Sequence, residues 1–402
     1  MKKGLTYKIQ VLALLFVMSC ATVKANDGVY YVSGNHLVPM QETDISVRKE
    51  VLTIYLQNDG FAYVDVSYEF WNPGNTTKKI LMGFEADHPS DNTVVFEPES
   101  PIWHSFIGHP FIYNFTVEMN SRQLDFQTAR CLSNNFNMDS LISQDSLSKK
   151  VQYLFDPNNE DYIDTTGMDD IDYSDIYNRY LYCYNNYVYY FEAEFKPGLN
   201  KVHHTYRYKM GSSTENPWNL HYSLTPAARW AGGKIDDFTL IVHSDKMPSH
   251  FFMPLSINPE AEFEVVEGIG KMRRTAHRMY GFYEDTTDYD RGTDCYEVYI
   301  RNGAVSWHKK DFRPMSEMVI ECPTSYSEIR DFYAKEGLSD PISDYEFENR
   351  VVRNLPYAKR GRVFKDKKLK DFFERLWWYM PDPEYKDSTD DFSEIDWENI
   401  NY

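Results

Sequence analysis

His203 and His204 stand side by side in FKPGLNKVHHTYRY (195–208), and neighbouring histidines invite a metal. Zinc needs ligands that converge on one point. In a strand, adjacent side chains point to opposite faces, so these two cannot share one ion. His204 is expected to face inward with Val202 and Tyr206. Asp285, Asp288, Asp290 and Asp294 crowd into EDTTDYDRGTD, where oxygen ligands at short spacing suit Ca²⁺. Their spacing does not follow an EF-hand loop and Arg291 sits among them, so a solvated acidic loop is the expectation. Gly268-Ile269-Gly270-Lys271 is a fragment of a phosphate-binding loop, without the preceding glycine spacing or a Ser/Thr after the lysine. It is expected to be a turn after a strand at 263–266. HExxH, GxSxG and a full P-loop are all missing from the sequence. No catalytic residue, metal site or cofactor is therefore assigned.

Two segments offer binding chemistry instead. YNRYLYCYNNYVYY (177–190) holds seven tyrosines, and Tyr180, Tyr182 and Tyr184 share one face of an expected strand. Tyrosine presents an apolar ring and a polar tip, which suits sugars or a protein surface. The alternative is that this face packs into the core, since strands favour tyrosine. Near the other end, residues 350–375 hold ten Lys and Arg in a chain of net charge −19. Tyr357, Lys359, Arg360, Arg362, Lys367 and Lys368 are the candidate binding residues there, with Lys365 and Lys370 completing the basic face. That face suits an anionic envelope polymer, an acidic surface of the same chain (155–175 or the tail), or simply water.

The N-terminus reads as an export signal. Lys2, Lys3 and Lys8 precede an apolar run from Val11 to Met18, too short to span a bilayer, followed by small residues. Cleavage after Ala25 and lipidation at Cys20 are both compatible with it. Losing residues 1–25 removes four Lys and no acids, which takes the formal charge from −19 to −23. Such a chain repels nucleic acid. Cys131, Cys183, Cys295 and Cys322 remain, and an even number in an exported chain suggests disulfides. The expected pairs are the sequential ones, Cys131–Cys183 and Cys295–Cys322. No other stretch is apolar enough for a transmembrane helix.

The elements that must position these residues are mainly strands. In FAYVDVSYEFWN, Val64, Val66, Tyr68 and Phe70 alternate with polar residues, the period of a half-buried strand. Asp59-Gly60 and Asn302-Gly303 are expected hairpin turns. Residues 115–126, 236–244, 263–269 and 317–323 read as further strands. Helices are expected late: Phe347, Val351 and Leu355 share a face, with Pro356 perturbing that helix's end and Gly361 closing the turn. Asp366 caps a second helix whose stripe is Leu369, Phe372, Phe373 and Leu376. The fold class is α+β: an antiparallel β-sandwich body over 26–325, with an acidic insertion at 155–175, then a small helical domain at 340–386. The tail, 387–402, carries six acids without Lys or Arg and is expected to be disordered. A helical pair this small buries little surface alone, so it is expected to dock on the body.

Tyr357-Ala358-Lys359-Arg360-Gly361, followed by Leu369, Phe373 and Trp377-Trp378-Tyr379, resembles the YARHG domain, a small bacterial extracellular module. Lys359 and Arg360 stand where the family's name has Arg and His, so a role for that histidine does not carry over. The resemblance implies binding rather than catalysis. The body is similar, in patches such as 34–54 and 222–242, to an uncharacterised family of secreted all-β bacterial proteins. Together these imply a non-enzymatic periplasmic or secreted envelope protein, or an outer-membrane lipoprotein. Its expected partner is peptidoglycan, another glycan or an envelope protein. A hydrolase using a carboxylate pair and a purely structural scaffold are the alternatives.

Overall fold

The computed structural model describes residues 33–34, 37–39, 43–86, 112–131, 141–142, 186–211, 217–244, 248–277, 293–323 and 345–401. The strands in the first half are β1 (Ser33–Gly34), β2 (Leu37–Pro39), β3 (Ser46–Leu56), β4 (Phe61–Asn72), β5 (Lys78–Ala86), β6 (Ile112–Met119), β7 (Arg122–Gln123), β8 (Gln127–Cys131) and β9 (Leu141–Ile142). There follow β10 (Asn186–Phe195), β11 (Gly198–Lys209), β12 (Asn219–Tyr222), β13 (Ile235–His243), β14 (Ser249–Pro254), β15 (Glu264–His277), β16 (Thr293–Phe312) and β17 (Met318–Glu321). Three helices close the chain: α1 (Tyr345–Lys359), α2 (Lys367–Phe373) and α3 (Glu394–Asn401). The α+β reading holds.

Twelve strands form one sheet, in the order β1-β12-β17-β14-β16-β13-β3-β4-β11-β6-β7 with β15 added on β16. Five more, β2-β5-β10-β8-β9, form the second. The alternation in β4 holds, and Ala62, Val64, Val66, Tyr68 and Phe70 are all buried. They meet the second sheet, where Phe70 stacks edge-on against Phe195 and Phe115 lies over Tyr189 at 4.7 Å. Burial of such rings contributes roughly 1.5–3 kcal/mol each. Asp59-Gly60 makes the β3–β4 turn as expected, with Gly60 at φ 77°.

Asn302-Gly303 does not turn the chain. β16 runs straight through it for 20 residues, and Gly268-Ile269-Gly270 lies inside β15 rather than in a turn. Gly268 and Gly303 are partners across the β15–β16 ladder, both at positive φ (71° and 105°). A Cβ on Gly303 would sit 2.0 Å from the Glu267 carbonyl oxygen. The two glycines thus allow two backbones to close on each other where the ladder shifts register. A hairpin signal and a paired-glycine kink look identical in one strand, because both need left-handed backbone.

The expected Cys295–Cys322 disulfide is absent. Cys295 lies on β16 and Cys322 follows β17, with β14 paired between those strands. Two strand spacings, about 10 Å, exceed the Cα separation a disulfide bridges. Cys183, Tyr180, Tyr182, Tyr184, the 155–175 insertion and the Asp285–Asp290 loop lie outside the described residues, and so does the side chain of Cys131. Among the described residues, no helix is long and apolar enough to cross a membrane.

Replacing Gly303 by alanine combines left-handed strain with a backbone clash. It should cost about 2–4 kcal/mol in urea unfolding, whereas Gly60→Ala, in open space, should cost only the strain, about 1–2 kcal/mol.

Candidate functional site: a polar sheet face and a docked helical module

The sheet face turned away from the core is built by cross-strand register. Running across β3, β4, β11 and β6, successive rungs bring together Lys49, Glu69 and Lys201; then Val51, Ser67, His203 and Glu118; then Thr53, Asp65, Thr205 and Thr116. The next rung is aromatic and cationic: Tyr55, Tyr63, Arg207 and Tyr113. At the far end Trp71 pairs with Leu199, and both are exposed (38% and 49%).

Charges on this face are placed by their neighbours. His203 Nε2 lies 3.0 Å from Asp65 Oδ1, and Lys201 Nζ lies 3.7 Å from Glu69. Thr116 and Thr205 hydroxyls are 2.8 Å apart. Arg48 stands over the Trp71 ring at 5.7 Å, and Arg207 over Phe61 at 4.0 Å. Tyr55 stacks on His243 at 4.7 Å. Between the rungs lies an open groove of about 690 Å³, lined by Lys49, Ser67, Glu69, Glu118, Lys201 and His203 among others. The strand repeat sets the spacing of these polar groups at about 6.8 Å from rung to rung. Ser67, His203 and Asp65 are the residue types of a hydrolytic triad, but no hydrogen bond joins Ser67 to His203. The inward neighbour His204 is buried among Tyr68, Tyr206 and Phe115, as its register requires.

Inside the sheet a second polar group was not visible in sequence. Glu50, Tyr68, Tyr206 and Tyr222 are buried together. Burial, reinforced by the neighbouring tyrosines and Glu50, pushes the Tyr222 hydroxyl well above its ordinary pKa. Only the β3–β4 register reveals that Glu50 sits opposite Tyr68.

The basic C-terminal segment is mostly neutralised within the chain. α1 continues through Pro356 to Lys359, with Val352, Leu355 and Ala358 buried along its length. Gly361, at φ 97°, closes the turn as expected, and a Cβ there would meet Asp382, Arg301 and the Met380 carbonyl. Arg360 does not face solvent but is buried. Its Nε reaches both Asp391 carboxylate oxygens (3.0 and 3.1 Å), Nη2 the Asp396 carboxylate (2.9 Å), and Nη1 the Pro356 carbonyl (2.9 Å). Burial opposes its charge, but the bonds and charges of Asp396 and Asp391 outweigh it and hold the pKa above the usual arginine value. Tyr357 packs on Phe392 (5.3 Å) and under Arg362, which pairs with Asp387 (3.2 Å). Lys367 pairs with Asp371 and Lys370 with Glu374. Lys365 and Lys368 stay exposed, without an ion pair among the described residues.

The tail expected to be disordered therefore carries α3. Ser393 and Asp396 form a reciprocal capping box: Asp396 N donates to Ser393 Oγ (3.2 Å), and Ser393 N to Asp396 (3.0 Å). Acid-rich composition suggested a solvated tail, yet two of its acids fold onto one buried arginine.

The module docks on the body, as its small size requires. Tyr299 of β16 joins the module's apolar cluster, lying 4.9 Å from Trp378, and donates its hydroxyl to the Lys359 carbonyl. Arg301 pairs with Asp382 (3.1 Å) and donates to the Met380 carbonyl. Lys271 donates to the Trp377 and Tyr379 carbonyls (3.0 and 3.3 Å). Arg273, held from below by Glu297 (2.7 Å), lies over Trp377 at 4.6 Å, and Glu297 also bonds buried His250 (3.1 Å).

Residues 334–402 match the YARHG domain family, so the C-terminal module is a YARHG domain that includes the tail. Over 157 residues the chain is 27% identical to the mitochondrial ubiquinone biosynthesis protein COQ4 homolog of Plasmodium falciparum (isolate 3D7), covering 36% of this chain and 42% of that one. The chain thus spans less than half of that curated relative. Among solved structures, a candidate nutrient-binding protein of Legionella pneumophila is 19% identical over 94% of this chain and 99% of its own, with a TM-score of 0.48. An M1 zinc metallopeptidase from Deinococcus radiodurans is 7% identical over 71% and 43%, with a TM-score of 0.26. At these values neither bears on reaction or ligand.

Arg360→Ala leaves Asp396 without its buried counter-charge. The module should lose about 3 kcal/mol, and α3 should become more readily cut in limited proteolysis than in wild type. Lys368→Ala, at an exposed position, should leave both within error.

Proposed function

We propose that this is an exported, non-enzymatic envelope protein that binds a glycan polymer of the cell wall on the sheet face of β3, β4, β11 and β6. The groove between the polar rungs is the observation that carries this reading. Serine hydroxyls, an asparagine amide, carboxylates, lysines and a histidine line it at fixed positions, an arrangement that suits a chain of sugar hydroxyls. Exposed Trp71 at one end and the Tyr63–Arg207–Tyr113 rung at the other supply surfaces on which sugar rings stack. The N-terminal signal pattern supports export, and the YARHG domain fits that setting. The basic helical face is the weaker candidate, because its arginines and two of its lysines already have acidic partners.

Co-sedimentation of the full protein with purified sacculi tests this. Wild type should pellet, and Trp71→Ala with Lys201→Glu should weaken pelleting about tenfold, the size of a lost recognition anchor. Lys365→Glu with Lys368→Glu should change it little. No pelleting by wild type, or loss only through the lysine pair, would overturn the reading.

A further inference from the structure

The polar sheet face sets a length for whatever lies along it. β4 runs through it without a bulge, and Tyr63, Asp65, Ser67, Glu69 and Trp71 all point outward, alternating with buried residues. Its pairing with β11 keeps one register over the same stretch, from Tyr63–Arg207 to Trp71–Leu199. Eight residue steps separate Tyr63 from Trp71. At the usual rise that is about 27 Å, the length of about five β-1,4-linked hexose units. Both ends are aromatic and braced. A Cβ on Gly198 would meet the Trp71 indole at 3.7 Å, so this ring lies against bare backbone, with Arg48 5.7 Å from its centre. At the other end Tyr63 continues a row of rings through Tyr55 (5.8 Å) to His243, and Tyr113 on the same rung is 42% exposed. The groove occupies the rungs between these ends.

The face also sets a charge. In the groove lining Lys49 and Lys201 balance Glu69 and Glu118. The cations around them have acids of their own: Arg48 meets Asp236 (2.8 Å), His203 meets Asp65 (3.0 Å) and Arg207 meets Asp59. An anionic polymer finds no excess of positive charge here, and it would approach a chain of net charge −19. A neutral sugar chain suits the face better, because paired ammonium and carboxylate groups keep donors and acceptors for its hydroxyls. The course of β4 selects the linkage as well. β-1,4-linked hexoses form an extended ribbon that can follow a strand, whereas α-1,4-linked ones coil. Building on the glycan-binding reading above, we infer that the ligand is an uncharged, β-1,4-linked glycan strand lying along β4. It is held over about five sugar units, with one end stacked on Trp71 and the other on the Tyr63–Tyr113 rung.

Isothermal titration calorimetry of the full protein with chitin oligosaccharides of increasing length tests this. Affinity should rise about tenfold from three units to five and then level off. Trp71→Ala and Tyr113→Ala each remove an exposed end ring, and each should bring the levelling about one unit earlier. A β-1,4-linked mannuronate oligomer, charged, and a maltose oligomer, α-1,4-linked, should bind about tenfold more weakly than chitin of equal length. The inference is overturned by affinity independent of length, by mannuronate or maltose chains binding as well as chitin, by a length profile that neither variant changes, or by no chitin binding. Sacculus pelleting measured on the same samples separates the two readings. Pelleting retained beside any of these results overturns only the length, charge and linkage assigned here. Loss of pelleting together with oligosaccharide binding overturns the glycan reading itself.

Discussion

β16 is the constraint on which the remaining structure depends. Its C-terminal half pairs with β13 and so joins the β3–β4–β11 sheet, while its N-terminal half pairs with β14 and reaches β17 and β12. Along its other side runs β15. If the chain turned at Asn302-Gly303, these two halves would belong to separate sheets. The strand passes through because Gly268 and Gly303 let two backbones approach more closely than any side chain allows. The same strand presents Tyr299 and Arg301 to the helical module, so body and module share one rigid support.

The module shows why a charge count is a poor guide to a binding surface. Ten basic residues in a short segment suggest a polymer site, but folding places a buried arginine between two tail carboxylates and pairs others on the helix surface. Removing a buried charge from water is costly, and only partners with good geometry compensate for it. Arg360 has such partners because α3 delivers Asp396 through a capping box that also starts the helix. Motif residues Tyr357, Ala358 and Gly361 have packing and backbone roles: a stacked ring, a buried methyl and a left-handed turn.

Local signals in the sequence were reliable where one strand or one turn determines the outcome. Val64 to Phe70 alternate as they read, Asp366 caps its helix through Leu369 N, and His203 and His204 face opposite sides of β11. What failed depended on distant partners. Asn302-Gly303 carries the same dipeptide as a hairpin, and only Gly268 across the ladder distinguishes them. Cys295 and Cys322 are consecutive cysteines along the chain, but β14 stands between their strands. The rungs of the polar face draw on residues up to about 150 positions apart, whose register no single segment specifies. Glu50 and the Arg360–Asp396 pair were hidden for the same reason.

Among the described residues, Tyr299, Lys271 and Arg301 of the body donate to main-chain oxygens of the module: those of Lys359, Trp377, Tyr379 and Met380. The side chains of the module enter through few positions, chiefly Trp377, Trp378 and Asp382. The body therefore grips the path of the module's backbone more than its chemistry. Surface residues of the helices are free to drift without loosening the attachment, and a different helical module following the same path around Gly361 would fit the same seat.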